Sequence, residues 1–221
     1  MTKRSGLLYM LLAGACVAAG VACGARASRT ARATAHAPAA TPTPAADPGA
    51  PLTREEEALN RRPLKLPLSR PHVVVEKGAR RLRLYAGGEV VRVRRVVLGS
   101  DPVNDKVRQG DGRTPEGDFQ ICMKNGKSKF YLSLGLTYPN AEDAERGLRD
   151  GLISQAQHKS ITHALAAGRC PPWNTALGGE IFIHGGGTSA DWTLGCVALE
   201  NPEIKELFDT LPAGTPVRVR P

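Results

Sequence analysis

A histidine and a cysteine twelve positions apart carry the chemistry this sequence can do. Ile181-Phe182-Ile183-His184-Gly185-Gly186-Gly187 delivers the histidine from a short apolar run into a glycine turn. Asp191-Trp192-Thr193-Leu194-Gly195-Cys196-Val197-Ala198-Leu199 places the cysteine at the head of another apolar run, straight after a glycine. The thiolate is the nucleophilic form of cysteine, so a working Cys196 needs a base close by. Histidine is the natural base near neutral pH. Gly195 lets backbone approach a substrate carbonyl closely, and the amides of Gly195 and Cys196 could then hold an oxyanion. The same residues also fit an inert buried cysteine and a strand-end histidine with satisfied hydrogen bonds, and spacing alone does not separate these readings.

The elements that must position the pair are short strands. Val73-Val74-Val75 reads as one. Leu82, Leu84 and Ala86 alternate with Arg81, Arg83 and Tyr85 at the period of a half-buried strand. Gly87-Gly88 is a hairpin turn signal, followed by Val91, Val93 and Val97 interleaved with Arg92, Arg94 and Arg95. The segment Gly110 to Gly117 is dense in turn residues. Asp118 to Met123, Lys129 to Leu136, Glu180 to His184, Val197 to Leu199 and Gly214 to Val219 are further strand candidates. Residues 141–169 read as an interrupted helix. Asn201-Pro202 offers an N-cap and a proline at the first helical position, opening a helix to about Leu211. Many short strands with few helices predict a mainly β fold, a sandwich or barrel.

Ahead of that domain, the N-terminus reads as an export signal. Lys3 and Arg4 form a positive start, and Gly6 to Val21 is uncharged. That run is short for a membrane span, which needs about 20 apolar residues. Cleavage after Ala25-Arg26-Ala27 would make 1–27 a signal peptide. Cleavage before Cys23, in Gly20-Val21-Ala22-Cys23, would make 1–22 the signal and Cys23 a lipid-bearing N-terminus; an uncleaved anchor is the third reading. Each leaves the rest of the chain outside the cytoplasm, tethered to a membrane in two of the three cases. Residues 28–70 form a tether and short helix. Seventeen of the 21 residues in 31–51 are Ala, Pro or Thr, too few large apolar groups to offset the entropy of ordering. Thr53 with Glu56 offers a capping box for a helix ending before Pro63. Residues 71–221 suffice for one hydrophobic core.

The chain carries 30 Lys+Arg against 21 Asp+Glu, a net +9. With aromatics at 5%, and an export signal, the arginines at 92–95 do not indicate a nucleic-acid partner; a basic face suits an anionic cell wall. The His184 glycine turn is similar to a lipase oxyanion segment, but the chain has no G-x-S-x-G. His158 and His163 lack a third metal ligand within reach. No metal or other cofactor is expected.

Taken together, the motifs from residue 71 onward resemble the L,D-transpeptidase catalytic domain, the YkuD type, of bacterial peptidoglycan enzymes. The resemblance rests on Leu82-Arg83-Leu84-Tyr85, then Gly112-Arg113-Thr114-Pro115-Glu116-Gly117 as the family's G-x-T-P-x-G. His184-Gly185, Gly195-Cys196 and Leu211-Pro212-Ala213-Gly214-Thr215-Pro216-Val217 follow in order. The typical Ser/Thr-His-Gly-Cys with Arg or Asn two places on is altered. Thr193 matches, but Leu194 replaces the second histidine and Ala198 the Arg/Asn. That pattern is similar to a family branch with Gly-Cys-x-Ala and an upstream Tyr-Pro-Asn, here Tyr138-Pro139-Asn140. The branch includes an enzyme that hydrolyses the bond between peptidoglycan and an attached lipoprotein.

The resemblance implies acyl transfer on stem peptides. Cys196 attacks the carbonyl of a diaminopimelate residue, His184 is the base, and Gly195 with Cys196 holds the oxyanion. The acceptor is an amine in crosslinking or in attachment of protein to the wall, and water in an amidase or endopeptidase. A non-catalytic wall-binding module is the reading from another class. Around the pair, Gly185 is read as a substrate contact. Thr193 either orients the loop or bonds substrate, Asp191 orients His184, binds a substrate amine or is a solvated loop residue, and Trp192 is either packing or a substrate platform. In an oxidising compartment Cys122 and Cys170 could pair and leave Cys196 free.

Overall fold

The computed structural model describes residues 50–221. The signal segment, Cys23 and the tether before residue 50 lie outside the described residues. Twelve elements follow: α1 (Arg54–Arg61), β1 (His72–Glu76), β2 (Arg81–Ala86), β3 (Glu89–Arg95), β4 (Gly117–Ser128), β5 (Tyr131–Leu136), α2 (Ala141–Arg149), α3 (Gln155–Ala166), β6 (Phe182–His184), β7 (Val197–Ala198), α4 (Asn201–Thr210) and β8 (Pro216–Arg220). The expected β-rich fold is one mixed sheet of eight strands in the order β3-β2-β1-β8-β4-β5-β6-β7. Neighbours are antiparallel except β1 with β8 and β6 with β7. The sheet curls until its ends meet: Val97, just past β3, pairs with Ala198 of β7, and Gly99 with Thr193.

Alternation within the strands decides which face closes the core. Val73 and Val75, Leu82 and Leu84, and Val217 and Val219 point inward, none more than 2% exposed. Full burial of each such side chain contributes about 1.5–3 kcal/mol. Ile204 and Leu207 of α4 pack into the same cluster. The arginines of β3 lie beneath that helix. Arg92 and Arg94 reach Glu206 at 2.9 and 2.6 Å, so part of the basic run faces an acidic helix, not solvent.

Local sequence explains most boundaries. Gly87 and Gly88 take φ of +62° and +90° in the β2–β3 turn, where a β-carbon would be strained. Thr53 with Glu56, Asn140 with Asp143, and Ser154 with Gln157 form reciprocal capping boxes at α1, α2 and α3. Of the boundaries that differ from the sequence reading, three have a clear local cause. The N-cap of α4 is Glu200, and Pro202 stands one place further in than expected, because the Asn201 amide oxygen accepts the Gly186 N–H instead. β4 continues to Ser128 through two register shifts, which break the period that marks a strand. β6 begins at Phe182, since Glu180 adopts φ +54°.

The α2–α3 segment has its own small core of Ala144, Ile153, Ile161 and Leu177. It is fastened twice to the sheet side. The Tyr138 hydroxyl donates to the Leu177 carbonyl at 3.0 Å, and Cys122 is bonded to Cys170, with Cα atoms 5.2 Å apart. Among the described residues no helix is long and apolar enough to cross a membrane. The crosslink joins positions 48 residues apart, a loop whose closure entropy is about 4 kcal/mol at most. Replacing Cys122 and Cys170 together by serine is expected to lower the unfolding free energy by about 2–4 kcal/mol in urea. An unchanged midpoint would contradict it.

Candidate active site

Strand register brings the histidine and cysteine together. β6 and β7 run parallel, with Ile183 opposite Val197 and His184 opposite Ala198. β5 adds Leu134 opposite Ile183 and Ser133 opposite His184. Leu134, Ile183 and Val197 are fully buried in the core. His184 and Cys196, one step along from those positions, therefore share the other face. One strand across and two residues along is roughly 8 Å between Cα atoms, a gap two inclined side chains can close.

His184 is held by its neighbour. Its Nδ1 lies 2.6 Å from the Gly185 carbonyl oxygen. A carbonyl only accepts, so Nδ1 carries the proton and Nε2 keeps the lone pair. The ring stacks on Phe130 with centroids 4.6 Å apart, and Trp192 meets it edge-on at 5.5 Å. Burial holds the His184 pKa below its usual 6.5, partly offset by the Gly185 hydrogen bond. Trp192 is 38% exposed, and its indole N–H donates to the Gly187 carbonyl at the rim beside the histidine.

The glycine turn is fixed from the start of α4. A β-carbon on Gly185 would lie 2.5 Å from Asn201 Oδ1 and 2.8 Å from the Phe130 carbonyl oxygen. Gly185 is buried, and its carbonyl anchors His184. Asn201 Oδ1 accepts from the Gly186 amide at 3.0 Å. Glu200 accepts from both the amide and the hydroxyl of Thr188, at 2.9 and 2.6 Å.

The half-buried Cys196 is the free cysteine among the described residues. Its sulfur accepts from the Phe182 amide and donates to the Glu180 carbonyl, each at 3.4 Å. Burial pushes the thiol up to about 11; the Phe182 hydrogen bond and the Lys106 charge oppose this, and Glu180 adds to it. At rest Cys196 is thus a thiol and His184 a neutral imidazole.

Three further site residues bond within the chain. The Gly195 N–H donates to Thr193 Oγ1 at 3.1 Å, which occupies the amide expected to bind an oxyanion. The Thr193 hydroxyl in turn donates to the Cys196 carbonyl at 2.7 Å. At 3% exposure, Thr193 staples the turn that leads into Cys196, in line with the loop-orienting reading. Asp191 does not turn toward His184: its carboxylate accepts from Arg80, at 2.7 Å from Nη2, and from the Leu98 amide at 2.8 Å.

The turn-dense loop supports this arrangement from behind. Asp111 gathers the amides of Val107, Arg108 and Arg113 and pairs with buried Lys106 at 2.7 Å. Thr114 Oγ1 accepts from the Gly99 amide. Sequence reading missed Phe130, Glu180, Lys106 and Arg80. Phe130 had no signal beyond its place within a candidate strand, and Arg80 meets Asp191 across 111 residues of chain. Among the described residues no cluster of three or more His, Cys, Asp or Glu is arranged for a metal ion.

Gly195 allows a sharp check. It has φ +129°, and a β-carbon there would meet the Arg113 carbonyl oxygen at 2.6 Å. Backbone strain and overpacking each cost about 1–3 kcal/mol. Gly195→Ala is therefore expected to destabilise by roughly 2–4 kcal/mol in urea unfolding, and a loss below about 0.5 kcal/mol would contradict the packing described.

Comparison with known proteins fits this architecture. No curated protein sequence matches the chain. Among solved structures, the chain is similar to the L,D-transpeptidase from Mycobacterium smegmatis, at 12% identity and a TM-score of 0.41 over 69% of this chain and 59% of that one. It is similar to Bd1075 of Bdellovibrio bacteriovorus at 20% identity and a TM-score of 0.45, over 71% and 49% of the two chains. It is also similar to the helical cell shape determining protein Pgp2 from Campylobacter jejuni, at 18% identity and a TM-score of 0.45, over 75% and 53%. The chain thus spans 49–59% of the length of these solved chains. The model of the L,D-transpeptidase catalytic domain, YkuD, matches residues 70–219, a stretch that runs from just before β1 to nearly the end of β8 and holds both His184 and Cys196, and the chain belongs to that family.

Proposed function

We propose that this protein is an exported cysteine acyltransferase of the cell envelope that acts on peptidoglycan stem peptides, forming crosslinks or attaching protein to the wall. The observation that carries the reading is the shared face of His184 and Cys196, with Nδ1 of the histidine taken by Gly185 and Nε2 left as the base. Cys196 gives its proton to Nε2 as the sulfur attacks the diaminopimelate carbonyl. The C–S bond forms, the amide C–N bond breaks, and the departing D-amino acid takes the proton from the imidazolium. An incoming amine then loses a proton to Nε2, attacks the thioester and restores the thiol. With the Gly195 amide bound to Thr193, the Cys196 amide is the candidate oxyanion donor.

Hydrolysis is the second reading. It is favoured by the two positions where the family commonly carries a second histidine and an Arg or Asn: Leu194 is 84% exposed, and Ala198 is fully buried. The amidase would use the same acyl-enzyme with water as acceptor, releasing crosslinks or a wall-linked lipoprotein. Signal cleavage before Ser28 or lipidation at Cys23 belongs to the export proposal.

The test mixes the full chain, wild type, Cys196→Ala and His184→Gln, with diaminopimelate-containing muropeptides and, separately, with lipoprotein-linked sacculi. Products are read by liquid chromatography and mass spectrometry. New crosslinked dimers made by wild type alone are expected. Loss of the base in His184→Gln should slow turnover by about 10²–10⁴-fold. Wild-type kcat/KM should rise with pH through a value below 6.5, as His184 becomes neutral, and hold level toward the thiol's pKa near 11. Released stem peptides or lipoprotein would assign the hydrolase. Binding to sacculi with no Cys196-dependent product would overturn the enzyme reading in favour of a wall-binding module.

A further inference from the structure

The neighbourhood of Cys196 holds two groups of aromatic side chains and an exposed acid, Glu180. In one group, Phe130 and Trp192 stand around His184. In the other, Trp173 meets Phe182 at 6.0 Å and lies so close over Gly179 that a β-carbon there would be 2.2 Å from the indole. Between Gly179 and β6 comes Glu180, exposed and at φ +54°. A non-glycine residue in the left-handed region costs free energy and persists only where its surroundings hold it there. Here they do: Trp173 clamps Gly179, the Glu180 carbonyl takes the Cys196 thiol at 3.4 Å, and Cys170 is bonded to β4 at the other end of the segment. The outcome is a carboxylate carried on the very residue that touches the nucleophile.

That carboxylate is uncommitted. Lys106, the cation whose charge reaches Cys196, is already paired with Asp111 at 2.7 Å, and among the described residues no cation pairs with Glu180. The acid also acts on the thiol through space, raising its pKa, which works against the nucleophile and gives no reason by itself for an acid to stand there. A cationic group on the substrate would supply the missing partner.

We propose that Glu180 is an ammonium subsite, binding the free side-chain amine of the diaminopimelate residue whose carbonyl Cys196 attacks, so that the enzyme selects donors carrying a cationic amino group. This rests on the acyl-transfer reading above and names the donor chemistry that reading leaves open. The carboxylate forms no covalent bond and moves no proton. It orients the donor, and its loss acts on donor recognition.

The experiment follows the first step alone, acylation of Cys196 in the full chain, by intact-protein mass spectrometry. Two donors are compared: a stem tetrapeptide with its diaminopimelate side-chain amine free, and the same peptide with that amine acetylated. Wild type is expected to lose about tenfold or more in kcat/KM on acetylation, the worth of a charge-assisted hydrogen bond. Glu180→Gln should lose a similar factor on the free-amine donor and treat the two donors alike. Glu180→Asn, which suits the left-handed backbone, should behave as Glu180→Gln does. A urea-unfolding midpoint unchanged from wild type in each variant shows that the fold around the site is kept. A wild type indifferent to acetylation, or variants that keep wild-type discrimination, would overturn the subsite while leaving acyl transfer intact. No Cys196 adduct with either donor in wild type would overturn the acyl-transfer reading and the subsite with it.

Discussion

A two-residue strand sets the register on which this site depends. β7 is only Val197–Ala198, and its parallel pairing with β6 puts His184 and Cys196 on one face. A slip of one residue would turn Cys196 into the core and Val197 out of it. So short a strand cannot hold its own register, and the flanks do it. The core row Leu134, Ile183 and Val197 is fully buried, Ala198 is paired on its far side by Val97, and Thr193 is paired with Gly99. The curling of the sheet is therefore part of the site: only because its two ends meet does β7 have a partner on each side.

Within that register, neighbouring carbonyls set the protonation of the pair. The Gly185 carbonyl chooses the histidine tautomer and the Glu180 carbonyl accepts a hydrogen bond from the thiol. Burial acts on both groups in the direction of neutrality, lowering His184 and raising Cys196. The site therefore rests as thiol and imidazole. Such a resting state protects the sulfur from adventitious reaction, because a thiol is far less reactive than a thiolate.

Features set by neighbouring residues were legible in the sequence, and features set by distant ones were not. The Gly87-Gly88 hairpin, the capping box of Thr53 and Glu56 and the apolar runs around His184 and Cys196 depend on chain nearby, and the structure contains them. Arg80 claims Asp191 from 111 positions away, and no local pattern announces that. Asn201 looked like a helix cap because asparagine caps helices, yet its acceptor goes to Gly186 and Glu200 takes the cap position. Gly195 illustrates a subtler limit. Its need for glycine was readable, but the cause is the Arg113 carbonyl packed against it, and its amide is turned to Thr193 and away from any substrate. Sequence shows which residues could do chemistry; tertiary contacts decide which of their atoms are free.

The most direct test of this account is the state of His184 in solution, observed by nitrogen-15 NMR of the histidine ring across pH. The account requires the neutral Nδ1–H tautomer at pH 7, with protonation only below 6.5, and the same behaviour in Cys196→Ala. An imidazolium that persists above pH 7 in wild type and vanishes in Cys196→Ala would contradict it, because the resting pair would then be a thiolate and an imidazolium.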